Sequence, residues 1–291
     1  MTITSPCTGI CKLDEPTGWC IGCGRSGDEI AVWRGLPDDA RDEVWAKIPD
    51  RLGALGVTCR RLPWSTDQIR DFVAHSVEKS RGTWVMGVVG AVAEFMVPEG
   101  AAAHVDTDGD TIIAHTKNGA MRMVIDDDIR ALTFDPPGMM SQPRVVLAVK
   151  RERGRVPVAQ GVSDLGADTG LMPGQGMRLF DLGLGRKEAR FCVRVADGPV
   201  RQALHDAEGL PFVQALPQIA APLLANSPTR VVDSALGRIE VEGKIPAQGD
   251  AVTAGPHTHL LPDHLATDRA LPVGMDLPRA YLPGAVFYPT P

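Results

Sequence analysis

A chain of 291 residues with a formal net charge of −6 has no general electrostatic attraction for nucleic acid or anionic lipid. Its 44% hydrophobic and 23% charged content is that of a soluble globular protein, and the length suits one large domain with a small appendage, or two domains. The first residues show neither the basic nor the apolar stretch of a secretory signal. The longest apolar run, Trp84–Pro98, contains Glu94 and is shorter than the roughly 20 residues of a spanning helix. A cytoplasmic protein is expected, with no membrane and no nucleic-acid partner.

The strongest chemical signal comes first in the chain. Cys7, Cys11, Cys20 and Cys23 follow the spacing C-x3-C-x8-C-x2-C, with Gly9, Gly18, Gly22 and Gly24 beside them to permit tight turns. In a reducing compartment a dense thiol quartet points to a metal rather than to disulfides. Four thiolates suit a tetrahedral Zn²⁺ site, and Fe–S clusters accept the same donors. The Cys20–Cys23 pair has a knuckle spacing, whereas the Cys7–Cys11 pair is looser, so both metals stay open. Ser26 and Glu29 form a capping box that opens a helix bearing Ile30 and Trp33. A second helix is expected over Pro37–Lys47 and is interrupted by Pro49, with one more turn over Asp50–Leu55. Trp19 is read as a packing lid. So small a core, residues 1–62, would draw stability from a bound metal.

The residues Ser5-Pro-Cys-Thr-Gly-Ile-Cys-Lys-Leu-Asp14, Gly18-Trp-Cys-Ile-Gly-Cys-Gly-Arg25, Asp28-Glu-Ile30 and Trp33 resemble the bacterial domain-of-unknown-function family numbered 1289. The resemblance covers residues 4–52 and all four cysteines. It implies a four-Cys metal module, since members of that family are described as predicted iron–sulfur proteins. It attaches no reaction to the module.

Residues 63–291 read as an α+β domain with a mostly antiparallel sheet and packed helices. Cys59–Trp64 serves as linker, with Arg60 and Arg61 on a solvated face and Cys59 as a small apolar residue. Ser65 or Thr66 caps a helix through Lys79 that presents Ile69, Phe72, Val73 and Val77. Periodicity leaves residues 84–97 open between a buried helix and a strand. Thr111–Thr116 and Ala120–Ile125 form a hairpin, with Asn118-Gly119 at the left-handed turn positions, and a short helix is expected over Asp126–Leu132. Strands are expected at Arg144–Lys150, from Arg178, at Ala189–Val195, Arg230–Asp233 and Arg238–Val241. Helices are expected at Pro199–Glu208 and Val213–Ala225. The glycine-rich stretch 161–176 has no Gly-Lys-Ser/Thr and is no phosphate loop. Cys192 reads as a buried apolar residue, and the pairs His104/Asp106 and His205/Asp206 as surface features.

Three of the seven histidines, His257, His259 and His264, fall close together in Gly255–His264. In a strand His257 and His259 share a face, and two imidazoles on one face can hold a metal or act as an acid–base pair. The alternative is a turn whose histidines bind backbone carbonyls. This second part also resembles an uncharacterised bacterial family carrying a Gly-Pro-His-Thr-His-Leu-Leu-Pro-like segment, with no activity implied. A proline-punctuated C-terminal tail is expected to wrap over the domain. The functional reading is a metal-binding protein whose four-Cys site is structural or electron-carrying and docks a protein partner. The alternative is an enzyme using His257 and His259.

Overall fold

The computed structural model describes residues 4–88, 91–135, 143–153, 156–157, 159–172, 177–185, 189–245, 255–260 and 277–290. Its helices are α1 (Gly27–Val32), α2 (Asp38–Ala54), α3 (Thr66–Glu78), α4 (Pro199–Asp206) and α5 (Phe212–Asn226). The strands begin with β1 (Arg60–Arg61), β2 (Gly82–Val88), β3 (Ala91–Met96), β4 (His104–Asp108), β5 (Thr111–Thr116), β6 (Gly119–Val124), β7 (Ile129–Thr133) and β8 (Val145–Lys150). They continue with β9 (Ser163–Ala167), β10 (Arg178–Asp181), β11 (Ala189–Val195), β12 (Thr229–Ser234), β13 (Gly237–Val241), β14 (His257–Leu260) and β15 (Tyr281–Pro289). The fold is α+β.

Two antiparallel sheets organise the body. One runs β1-β7-β8-β15-β2-β3-β14 and the other β4-β5-β6-β13-β12-β11-β10-β9. Alternation along the strands turns Trp84, Met86, Ala93 and Phe95 of the first sheet toward Phe191, Val193, Val232, Ile239 and Met121 of the second, and these residues share one core. Helix α3 closes one margin with Ile69, Val73 and Val77, and the Ser76 hydroxyl accepts from Trp84 Nε1 at 2.9 Å. Helices α4 and α5 add Val200, Leu204, Ala215, Ile219 and Leu223.

The outer face of the second sheet carries a buried ionic network. Arg194 Nη1 lies 2.8 Å from Glu240 Oε2, and Arg238 bridges Glu240 and Asp168. Glu240 also accepts from the amides of Leu171 and Met172 at 3.0 and 3.3 Å, so the segment after β9 is strapped over the sheet. Gly170 lies against the Arg194 guanidinium, where any side chain would collide.

Several expectations change. The stretch left open between helix and strand pairs as β2 and β3, and both faces of the pair are covered, which explains the continuous apolar run. Helix α2 continues through Pro49, because Val44, Trp45, Ile48 and Leu52 form one buried stripe on both sides of it. Asp126–Leu132 is a turn leading into β7, not a helix. The tail after residue 280 is a central strand, β15, flanked by β8 and β2. Its Pro283 falls where the register with β8 shifts, a position that tolerates a missing donor. Strands β4 and β9 were not expected. Cys59 and Cys192 are buried as expected, and burial pushes the Cys59 thiol up to about 12 and the Cys192 thiol up as well.

The β5–β6 hairpin is present, but its geometry differs. Thr116 pairs with Gly119, so the turn residues are Lys117 and Asn118, and Asn118 takes no left-handed φ. Gly119 opens β6, where an added Cβ would lie 2.5 Å from the Glu240 carbonyl oxygen and 2.8 Å from Pro256 Cβ. Close approach, not turn conformation, requires the glycine. Gly119→Ala and Gly119→Asn should therefore lose similar stability, about 1–3 kcal/mol for overpacking, in urea unfolding. Wild-type stability of the asparagine variant would return Gly119 to the turn.

Candidate metal centre

The four cysteines stand on two turns that pack on each other. Leu13 pairs with Cys20 and Trp19 with Ser26 as short antiparallel bridges. Gly18, at φ 69°, closes the intervening turn by donating its amide to Asp14 O at 2.8 Å. The knuckle follows: Cys20 O accepts from the amides of Cys23 at 3.2 Å and Gly24 at 2.7 Å, and Gly24 takes φ 69°. Gly22 is pressed against the first loop, where a Cβ would meet Ile10 O at 2.6 Å and Thr8 Oγ1 at 2.8 Å. The buried Thr8 hydroxyl donates to Gly22 O at 2.8 Å. These contacts hold the Cys7–Cys11 loop beside the Cys20–Cys23 knuckle.

Cys20 and Cys23 are buried, Cys7 is half-buried and Cys11 exposed, and all four are free thiols. The Cys11 thiol is pushed above its ordinary value, first by neighbouring Cys7, then by burial and by Cys20. Burial pushes the Cys23 thiol up against the opposing pull of Arg25. Cys20 Sγ donates to Ile10 O at 3.0 Å, and the Gly9 amide points at Cys7 Sγ at 3.4 Å. Among the described residues no group of three or more His, Cys, Asp or Glu side chains is gathered closely enough to hold a metal ion. The thiols are neighbours on adjoining turns, not a closed set of four.

Two arginines converge on them. Arg25, only 4% exposed, donates Nε to Cys23 Sγ at 3.5 Å and lies 4.7 Å over the Trp33 ring. Arg61, 7% exposed, donates Nη1 to the carbonyls of Ser5 and Cys7. Burial pushes the Arg61 guanidinium down to about 10, Arg130 adds to this, and Tyr281 and Cys7 oppose it. Among the described residues neither arginine pairs with a carboxylate, whereas Arg51, Arg70, Arg144 and Arg178 all do. Arg61 was expected on a solvated linker face; it lies instead in β1, which pairs with β7 at the margin of the first sheet.

As placed, the thiols do not enclose a metal; the donor type and the two arginines nearby are what a thiolate-bound metal would use. Four thiolates around a divalent metal carry a net charge of roughly −2, and two buried cations are placed to balance it. Cys7, Cys11, Cys20 and Cys23 would be the ligands. The amide of Gly9 and the guanidinium of Arg25 are oriented to donate to sulfur.

The module is braced from outside. Ser26 and Glu29 form the expected capping box on α1, and the Glu29 carboxylate takes Arg51 at 2.6 and 3.1 Å. Arg51 also donates to Gly24 O at 3.1 Å and lies 5.5 Å over the Trp19 ring, so Trp19 covers the ion pair. Residues 4–9 join module and body: Trp45 Nε1 of the module donates to Thr4 O at 3.0 Å, while Thr4 Oγ1 donates to Trp64 O of the body at 3.2 Å and a Cβ on Gly9 would lie 3.0 Å from Ala280.

The histidine segment does form a strand. In β14, His257 lies opposite Glu94 and His259 opposite Val92. The half-buried His257 has Nδ1 2.8 Å from Gly255 O and Nε2 3.4 Å from the fully buried Glu94. A carbonyl only accepts, so Nδ1 carries the hydrogen. His257 thus makes a carbonyl contact and lies beside a carboxylate. His264 lies outside the described residues. Glu94, Arg25 and Arg61 were missed as site residues; an acid in the apolar run Ala91–Met96 was the available signal for Glu94.

The family described as "Family of unknown function (DUF6925)" matches residues 68–291, and "Protein of unknown function (DUF1289)" matches residues 5–52. Uncharacterized protein YdhL of Escherichia coli K12 is 44% identical over 50 residues, 17% of this chain and 62% of its own length. The YdhL protein of Shigella flexneri matches to the same extent, so the chain spans less than two thirds of these curated relatives. No solved structure matches the chain. No helix among the described residues is long and apolar enough to cross a membrane.

The Glu29–Arg51 pair makes the module's stability depend on pH. Burial alone would raise the Glu29 carboxyl, but Arg51 and the Ser26 amide hold it below its ordinary 4.5. A depressed folded value means the contribution is complete above 4.5 and is lost as pH falls below it. Glu29→Gln should therefore destabilise residues 1–62 at neutral pH by about 1 kcal/mol, discounted for partial exposure. The gap from wild type should close in acid. Hydrogen exchange of the α1 and α2 amides across pH measures it.

Proposed function

The chain belongs to DUF6925, a family of unknown function, and we propose that it is a metal-binding protein whose Cys7, Cys11, Cys20 and Cys23 take one Zn²⁺ or one Fe–S cluster. Zinc is the choice if the knuckle, with its adjoining helix, and the first loop close into a small four-thiolate site on loading; the looser Cys7–Cys11 half suits a cluster. In this reading residues 1–62 are the metal module and residues 63–291 the α+β body it serves. The site is structural or electron-carrying, the setting is cytoplasmic, and a protein partner docks through the module.

The observation that carries the proposal is the pair of buried arginines. A guanidinium removed from water without a carboxylate costs several kcal/mol. Arg25 accepts that cost against Cys23 Sγ, and Arg61 against the Cys7 carbonyl. An anionic metal–thiolate centre supplies the counter-charge that both lack. Loading requires Cys20 to release Ile10 O and all four thiols to lose their protons, so uptake should liberate protons.

A second reading assigns acid–base chemistry to the body through His257, with His259 beside it, and draws on the Glu94–His257 pair. The two readings differ in metal content. The first expects one site per chain that survives His257→Ala/His259→Ala; a metal-dependent histidine site expects a second metal, lost in that variant.

Metal analysis with a visible spectrum after anaerobic purification tests the proposal. Brown colour means a cluster, and a colourless protein with zinc means a structural ion. Cys20→Ser should lose the metal and loosen residues 1–50 while the body keeps its thermal transition. Arg25→Met should keep the ligands but weaken metal retention against a chelator by about tenfold or more, as loss of second-sphere support does. A wild-type chain without metal, or Cys20→Ser with full metal, would sink the reading.

A further inference from the structure

Helix α3 ends beside a cavity that its own cap leaves open. The amide of Ser80 donates to Val77 O at 3.0 Å and that of Arg81 to Ser76 O at 2.9 Å, with Ser80 in the left-handed region at φ 48°. A cap built on this pair of bonds ordinarily brings an apolar residue, the second beyond the helix end, against another in the last turn. Here those two positions are Arg81 and Ser76. Both line a cavity of about 210 Å³, together with Trp64, Phe72, His75 and Phe287.

The walls of the cavity and its mouth differ in chemistry. The rings of Trp64 and Phe72 lie 4.8 Å apart, and Phe72 stands edge-on to Phe287 at 5.1 Å. Phe287 is fully buried while Trp64 and Phe72 are half-buried, so the ring cluster has an open side. The buried Ser76 hydroxyl donates to Val73 O at 2.7 Å and accepts from Trp84 Nε1 at 2.9 Å. Its one hydrogen is committed, so a carboxylate directed inward would find no donor there and would stay unsatisfied. The other polar lining residues, Arg81 and His75, are exposed. No carboxylate lines the cavity, and among the described residues none pairs with Arg81. The Arg81 main chain is fixed on both sides, since its carbonyl accepts from the Thr290 amide at 2.8 Å.

We propose that this cavity binds a small aromatic carboxylic acid, its ring against Trp64, Phe72 and Phe287 and its carboxylate at the mouth on Arg81. Size sets the class. A cavity of about 150 Å³ holds benzene, so this one takes a single ring with a short tail and is too small for ligands that need about 300 Å³ or more. Charge sets the sign. Aromatic walls alone would also suit an organic cation, but a guanidinium at the mouth repels one and pairs with a carboxylate. The site lies apart from the cysteine quartet and needs no metal.

Saturation-transfer NMR on the full chain tests this with 3-phenylpropionate as the probe, titrated to about 5 mM. Saturable binding is expected, with a dissociation constant between about 10 µM and about 1 mM for a ligand of this size, and with the ring protons the most strongly saturated. Propionate, which lacks the ring, and 2-phenylethylamine, which reverses the charge, should each bind about tenfold more weakly or worse. Arg81→Gln should weaken the acid about fivefold or more, and Arg81→Lys less. Arg81→Leu supplies the apolar residue that the cap lacks. It should raise the thermal transition by about 1–3 °C and abolish binding. The substituted position is exposed, and a thermal transition no lower than that of wild type confirms that the variants are folded. No saturable binding of the probe by wild type overturns the proposal. So does 2-phenylethylamine binding as tightly as the acid, or a folded Arg81→Gln or Arg81→Leu chain that keeps wild-type affinity.

Discussion

Positive charge out of water sets the terms at the N-terminal end of this protein. Arg25 lies under Trp33, and Arg61 is enclosed between the first residues of the chain and the margin of a sheet. Some arginines meet carboxylates, Arg144 on Asp135, Arg178 on Asp164 and Arg194 on Glu240, whereas the buried Arg230 is held by the carbonyls of Pro228 and Gly243. At the thiol quartet Arg25 has a sulfur as its neighbour. Buried ionic groups are tolerated when their partners are fixed beside them, and two packed turns fix these sulfurs through Gly22, Thr8 and Gly24. If the quartet takes a metal as proposed, formation of the site and folding of the first sixty residues are one process.

The body gives that module a firm edge. Strand β1 is only two residues long, yet it ties the end of the helical segment to β7 and so to the sheet. Arg61 is thus held by the body and reaches the module, while Thr4 touches Trp45 of the module and Trp64 of the body. Contacts of this kind transmit position through rigid backbone, with few side chains involved. At the far edge of the same sheet, His257 is fixed in the same way, by register opposite Glu94.

How much of this could be read from the chain depended on how local the cause was. The capping box at Ser26/Glu29 and the cap at Ser65 or Thr66 marked two helix starts, because each carries its own hydrogen bonds. Cysteine spacing marked the candidate site for the same reason. The hairpin at Thr111–Val124 was legible in place, while the function of Gly119 was not, since the atom it avoids belongs to β13. Residues 84–97 were ambiguous because both faces of the hairpin are covered, which erases alternation. Arg25 and Arg61 were hidden by the general rule that arginine lies outside. Proline spacing near the C-terminus suggested a loose wrap, and only pairing with β8 and β2 makes it a strand.

That strand has a consequence for how the molecule is made. Residues 281–289 complete the middle of a seven-stranded sheet whose other members are all synthesised earlier. Until they emerge from the ribosome, β8 and β2 have no hydrogen-bonding partner between them, and Phe287 is missing from a core shared with Trp84 and Phe72. The cysteine turns, by contrast, lie upstream of every strand of both sheets and can close before them, whereas a nascent chain halted near residue 280 would display a split sheet with two open edges to the cell's chaperones.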